Sequence, residues 1–159
     1  MAGTEPKHEK RIILQDLNVA LTTNFDELKK NQSIRNFIQE KELYRGWLVD
    51  LLRHEYVILC TVRSGKYRAD TLDRIKLLTN WEPDEALFNT WVDPKTKRHL
   101  SAHLVKRRFL TELIMPKFGD DPSKYLAIES NHRSREMYRS LGVKCLEANT
   151  DDSSPWKRI

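Results

Sequence analysis

Three short apolar runs each end in a polar cluster. Arg11-Ile12-Ile13-Leu14-Gln15 is followed by Asp16-Leu17-Asn18, and Tyr56-Val57-Ile58-Leu59-Cys60 by Thr61-Val62-Arg63-Ser64-Gly65. Tyr125-Leu126-Ala127-Ile128 is followed by Glu129-Ser130-Asn131-His132-Arg133. Such runs read as buried strands, and in an α/β protein ligands bind where strands end and helices begin. A fourth feature is Lys106, which lies on the same helical stripe as Phe109, Leu110 and Leu113. A lysine on an apolar stripe must snorkel or meet an anion. The formal net charge of +5 suits an anionic partner such as a phosphate, and equally a merely soluble protein. Taken singly, each residue has a plainer reading. Asp16 could be a helix cap or turn former, Thr61 an ordinary strand-end residue, and Lys106 a snorkelling stem.

The elements that must position these residues follow from spacing. Weaker strand candidates are 86–92 and 143–146. Leu43, Trp47, Leu48, Leu51 and Leu52 share a helix face that should end near Arg53 or His54. Leu72, Ile75, Leu78 and Thr79 suggest a second helix. Phe109, Leu110, Leu113 and Ile114 line a third, stopped by Pro116, and Met137, Tyr138 and Leu141 a fourth, closed by Gly142. Strands alternating with helices predict an α/β fold with a mostly parallel sheet of about five strands covered on both faces. The 159 residues accommodate one domain, expected over 11–149, with loose ends at 1–10 and 150–159. No apolar run approaches the ~18 residues of a membrane span. The first ten residues show no secretory core and no glycine after Met1, so a cytoplasmic location is the expectation. Cys60 and Cys145 read as buried thiols, and Trp47 and Trp91 as core; Trp81 and Trp156 have no evident place.

The order of Asp16, Thr61, Lys106 and Glu129 resembles the four motifs of the haloacid dehalogenase (HAD) superfamily of magnesium-dependent phosphotransferases. From about Arg11 to Glu147 the chain is most similar to the phosphatase domain of bacteriophage polynucleotide kinase-phosphatases. Segments 61–68, 105–110, 126–131 and 135–145 carry the likeness. The resemblance implies a HAD-like Rossmannoid three-layer sandwich. Asp16 is then the nucleophile that forms an aspartyl-phosphate, Thr61 a donor to a phosphoryl oxygen, and Lys106 the cation facing both. It implies Arg63 and Arg68 as substrate-binding residues, and Asp16, the Asn18 carbonyl and Glu129 as magnesium ligands. Where the superfamily inserts a cap, residues 22–40 are short and polar. A minimal or absent cap leaves the site open to a nucleic-acid end or a protein partner.

Two positions depart from the family pattern. The second acid of the first motif is Asn18, and an amide cannot shuttle a proton. Loss of a general acid-base group typically costs about 10²–10⁴-fold in rate. The usual pair of adjacent acids is Glu129-Ser130, which lowers the expected magnesium affinity. The expectation is therefore a phosphatase-like protein that binds or hydrolyses a phosphomonoester on a nucleotide or nucleic-acid end. The alternative is a catalytically silent HAD-like module that binds a protein or nucleic acid through its basic surface. His99 and His103 have the spacing of paired zinc ligands on a helix, but no third ligand is apparent, and a solvated pair is the simpler reading. Lys95-Thr96-Lys97-Arg98 and Lys106-Arg107-Arg108 could track a nucleic-acid backbone, although charge runs are usually solvated faces.

Overall fold

A computed structural model describes residues 10–148. Strands β1 (Ile12–Gln15), β2 (Tyr56–Ser64), β3 (Glu85–Asn89), β4 (Tyr125–Glu129) and β5 (Lys144–Glu147) form one sheet in the order β3-β2-β1-β4-β5. Every pairing is parallel. The helices are α1 (Ile34–Glu40), α2 (Gly46–Leu52), α3 (Arg68–Thr79), α4 (Ala102–Arg108), α5 (Met115–Phe118) and α6 (His132–Ser140).

The period of two along each strand divides the core into two layers. Ile13, Val57, Leu59, Leu126 and Ile128 face Leu48, Val49 and Leu52 of α2 and Ile75 of α3. Ile12, Leu14, Ile58, Cys60 and Ala127 face Val105, Phe109 and Ile114 on one side chain layer and Met137 and Tyr138 of α6 on the same face. Each fully buried aliphatic side chain is worth about 1.5–3 kcal/mol. A one-residue slip of β1 would exchange its two faces, so the register is strongly specified.

Chain order sends β2 and β3 to one side of β1 and β4 and β5 to the other. The ends of β1 and β4 therefore flank a topological switch point, the crevice where open α/β sheets bind ligands. Gln15 is level with Ile128 of β4 and Leu59 of β2, and the Asp16 N–H extends the ladder to the Ile128 carbonyl at 2.9 Å.

Several local expectations are corrected. Thr61 lies inside β2 rather than beyond it, because pairing with β3 resumes at Ser64 after a register shift. The 86–92 strand stops at Asn89, whose Oδ1 accepts from the Trp91 N–H at 2.9 Å and turns the chain. Pro116 does not stop its helix. A π-helical stretch (Phe109–Ile114) leads into α5, where Pro116 sits in the first turn and needs no N–H donor. Leu43 precedes α2 and is exposed, and Leu51, Leu78 and Leu113 also point away from the core. His99 lies before α4, bridged to Val92, so it shares no helix face with His103.

Residues 22–40 hold a 3-10 turn (Phe25–Glu27) and α1. Cys60 and Cys145 are buried free thiols, and Trp47, Trp81 and Trp91 pack against the core. The ends expected to be loose, with Trp156, lie outside the described residues apart from Lys10. Among the described residues no helix is long and apolar enough to cross a membrane.

Candidate functional site

Strand parity places the first cluster. Asp16 continues the parity of Ile12 and Leu14, and Glu129 that of Tyr125 and Ala127, so both carboxylates face the layer containing α4. Lys106 enters from α4 on the same stripe as Val105 and Phe109, and is only 2% exposed. Its Nζ donates to Asp16 Oδ1 at 2.7 Å and to Glu129 Oε1. This lysine meets anions rather than snorkelling. Burial lowers its pKa, but the facing carboxylates of Asp16 and Glu129 outweigh that and hold it above its ordinary range. Burial first, then the adjacent Asp16, pushes Glu129 up to about 7.

Ser130 completes the cluster. Its hydroxyl is 2.7 Å from Asp16 Oδ2 and 3.1 Å from the Asn18 carbonyl oxygen. The Ser130 and Asn131 N–H groups donate to Glu129 Oε2 at 2.9 and 3.0 Å. Asn131 then caps α6 by accepting from the Ser134 N–H at 3.0 Å. Glu129 is thus the counter-charge of Lys106 and the clasp of the β4–α6 turn.

A second network lies beside the first. Arg63 Nη2 donates to Asn18 Oδ1 at 3.0 Å. Nη1 donates to Glu42 Oε1 at 2.9 Å and Thr71 Oγ1 at 3.0 Å. Glu42 is 0% exposed and also accepts from the Tyr44 hydroxyl at 2.7 Å. Arg63 is consumed by this buried network. Thr61 Oγ1 accepts from the Arg63 N–H at 3.0 Å and makes no hydrogen bond to Asp16 or Lys106. Arg68 is not brought to the site. It donates to the Ala86 carbonyl, and its guanidinium lies 5.7 Å from the Phe88 ring centre.

Sequence reasoning missed Glu42 and Arg45. Arg45 Nε donates to the Ala20 carbonyl at 2.9 Å, and Nη2 to those of Val19 and Thr22 at 2.8 and 3.3 Å. It clamps the turn that carries Asn18, where Val19 adopts φ +72°. A β-branched residue there costs roughly 1–3 kcal/mol, which the clamp and the 2.8 Å Val19 N–H bond to Thr22 Oγ1 offset. Neither residue carries a local signal for these roles, since the Arg63 that Glu42 pairs with and the carbonyls that Arg45 holds lie more than twenty residues away in sequence.

The expected magnesium ligands fit only in part. Asp16 Oδ2 and the Asn18 carbonyl converge on the Ser130 hydroxyl and are the oxygen type magnesium takes. Glu129 does not join them, its oxygens being engaged by Lys106 and two N–H groups. Among the described residues no group of three or more His, Cys, Asp or Glu side chains is arranged to hold a metal. With Glu129 engaged elsewhere, the expected set keeps two of its three ligands, Asp16 Oδ2 and the Asn18 carbonyl.

No family model matches the chain, and no curated protein matches it. Solved structures do. Two chains from structures of the Pnkp1/Rnl/Hen1 complex, one described as an RNA repair complex, superpose with TM-scores of 0.61 and 0.62 at 21% and 20% identity. These matches cover 90% and 95% of this chain, which spans 43% and 50% of those chains. A magnesium complex of a HAD family enzyme from Bacteroides thetaiotaomicron superposes with a TM-score of 0.54 at 11% identity, covering 94% of this chain and 99% of the other. At such identities the likeness concerns the backbone. The chain has a HAD-like α/β fold, with a parallel five-stranded sheet between two helical layers.

Proposed function

We propose that the protein binds a phosphomonoester on a nucleotide or nucleic-acid end at the β1–β4 switch point. The observation that carries this reading is Lys106, bonded at once to Asp16 and Glu129 where the strands end. An ammonium so placed pairs with the Asp16 carboxylate and offsets the charge of an arriving phosphate. The Asn18 amide adds a donor. With its oxygen held by Arg63, its NH₂ group remains for the ligand.

The same geometry favours binding over turnover. In an aspartyl-phosphate pathway Asp16 attacks phosphorus, the bond to the leaving oxygen breaks, and water then cleaves the acyl phosphate. The leaving oxygen needs a proton, and the amide at position 18 has none to transfer. Were magnesium bound, Asp16 Oδ2 and the Asn18 carbonyl would hold it, and it would supply positive charge against the phosphoryl oxygens. A nucleic-acid end as ligand accords with the short segment 22–40, the net charge of +5 and the RNA repair complex among the structural neighbours. A cytoplasmic location belongs to the same proposal. The silent-module reading draws support from Ser130, which already occupies the second oxygen of Asp16.

The test compares an oligonucleotide ending in a 3′-phosphate with the same strand ending in a 3′-hydroxyl, reading binding and phosphate release in parallel. Tighter binding of the phosphorylated strand is expected, with Asp16→Asn abolishing any release while preserving or strengthening binding, because it removes a negative charge. Equal affinity for the two strands overturns the proposal.

A further inference from the structure

A cavity of about 260 Å³ opens beside the site, sharing Asn18 and Arg63 with it. Its apolar wall is Phe25 and Leu28 of the 3-10 turn region, Ile34 at the start of α1, and Val62 of β2. Tyr67 closes one side, with Lys66 Nζ 5.1 Å and the Arg35 guanidinium 5.5 Å from its ring centre. His99 lines the opening, its Nδ1 3.2 Å from the Asn89 amide nitrogen, so Nε2 is its remaining polar atom. None of the lining residues is acidic. Glu42, the carboxylate paired with Arg63, is fully buried behind it, and Asp70, outside the lining, pairs with Arg35 at 2.8 Å.

Three properties define what would enter. The wall is apolar and carries two aromatic rings, Phe25 and Tyr67, which suits a planar ring. Apart from the Ser64 and Tyr67 hydroxyls, the polar groups are donors or cations, which suits a ring whose edge and attached groups are acceptors or anions. The cavity adjoins the Asn18 amide, so its occupant is attached to the group whose phosphate faces Asp16 and Lys106. We infer that this cavity is a nucleobase subsite, receiving the base of the nucleotide that carries the terminal phosphate. The inference rests on the phosphomonoester reading above and adds the group that the site selects. Residues 22–40, expected to make a minimal cap at most, are then a specificity wall, since Phe25, Leu28 and Ile34 all come from them.

The experiment measures the affinities of a nucleoside 3′-monophosphate, ribose 3-phosphate, inorganic phosphate, the unphosphorylated nucleoside and phenyl phosphate. Wild type is compared with Phe25→Ala and Tyr67→Ala. The base should tighten binding about 5- to 150-fold over ribose 3-phosphate, the range of one stacked base. Each variant should lose most of that gain and leave inorganic phosphate unchanged. Binding of phosphate with no gain from the base overturns the subsite and leaves the phosphate reading standing. Nucleoside binding that Phe25→Ala abolishes, with no binding of phosphate, keeps the subsite and removes the phosphate reading. Phenyl phosphate binding as tightly as the nucleotide overturns the nucleobase assignment, and binding of none of the probes overturns both readings.

Discussion

Arg63 Nη2 donates to Asn18 Oδ1 at 3.0 Å, so the Asn18 amide is held from behind by a buried guanidinium. Restoring an aspartate at 18 would place its carboxylate against that cation. An adjacent cation favours the ionised form and lowers the pKa. Asn18→Asp alone should therefore raise phosphate release by less than about 10-fold, against the ~10²–10⁴-fold of an effective acid-base group. Single-turnover release from a 3′-phosphorylated oligonucleotide measures this, and a gain of two orders of magnitude would show that Arg63 does not restrain position 18.

The Arg63–Glu42 pair makes a prediction about stability. Both side chains are buried, so Arg63→Ala leaves Glu42 as an uncompensated charge and should cost about 3–5 kcal/mol. Replacing both with methionine removes the charge together with its partner and should cost much less. Urea denaturation of the single and double variants decides it, since equal losses would mean that the pair's packing, not its charge, matters.

Glu129 predicts a pH dependence. Its carboxyl is pushed from the ordinary 4.5 up to about 7, by burial and then by Asp16. Between those values the folded protein keeps a proton that the unfolded chain has released. Stability should therefore fall as pH rises through that window and level off above it. Glu129→Gln should flatten the profile. Sulfate, whose own charge is constant there, should bind more tightly as Glu129 gains its proton, and that trend should also vanish in the variant. A wild-type denaturation midpoint that does not change across the window contradicts the assignment.

Ser130 predicts the response to magnesium. Its hydroxyl bonds the two oxygens that converge, Asp16 Oδ2 and the Asn18 carbonyl. Ser130→Asp adds a carboxylate there, which like-charge repulsion should make destabilising without metal and stabilising with it. At 100 times the dissociation constant the metal should contribute about 2.7 kcal/mol. Denaturation with and without magnesium should show this gain in Ser130→Asp and a smaller one in wild type. Equal gains would mean that the serine does not limit the site.

Much of this molecule is determined by sequence alone. Ile12-Ile13-Leu14, Val57-Ile58-Leu59 and Leu126-Ala127-Ile128 are too apolar on both faces for anything but central parallel strands, and the helical stripes between them require a layer on each side. The polar residues that end β1 and β4 are legible for the same reason, because the apolar run stops there. The position of Lys106 on its stripe is legible too, as is its need for an anion. Tertiary structure alone decided which anions it met. Asp16 is 90 residues away, and only the β1–β4 adjacency brings it and Glu129 to one ammonium. Folding also decided that Arg63 is spent on Glu42 and Asn18, that Arg68 turns to β3, and that Ser130 takes the second oxygen of Asp16. Periodicity reports whether a side chain is buried. The partner that satisfies a buried polar group depends on which distant segment arrives beside it, and no local pattern encodes that.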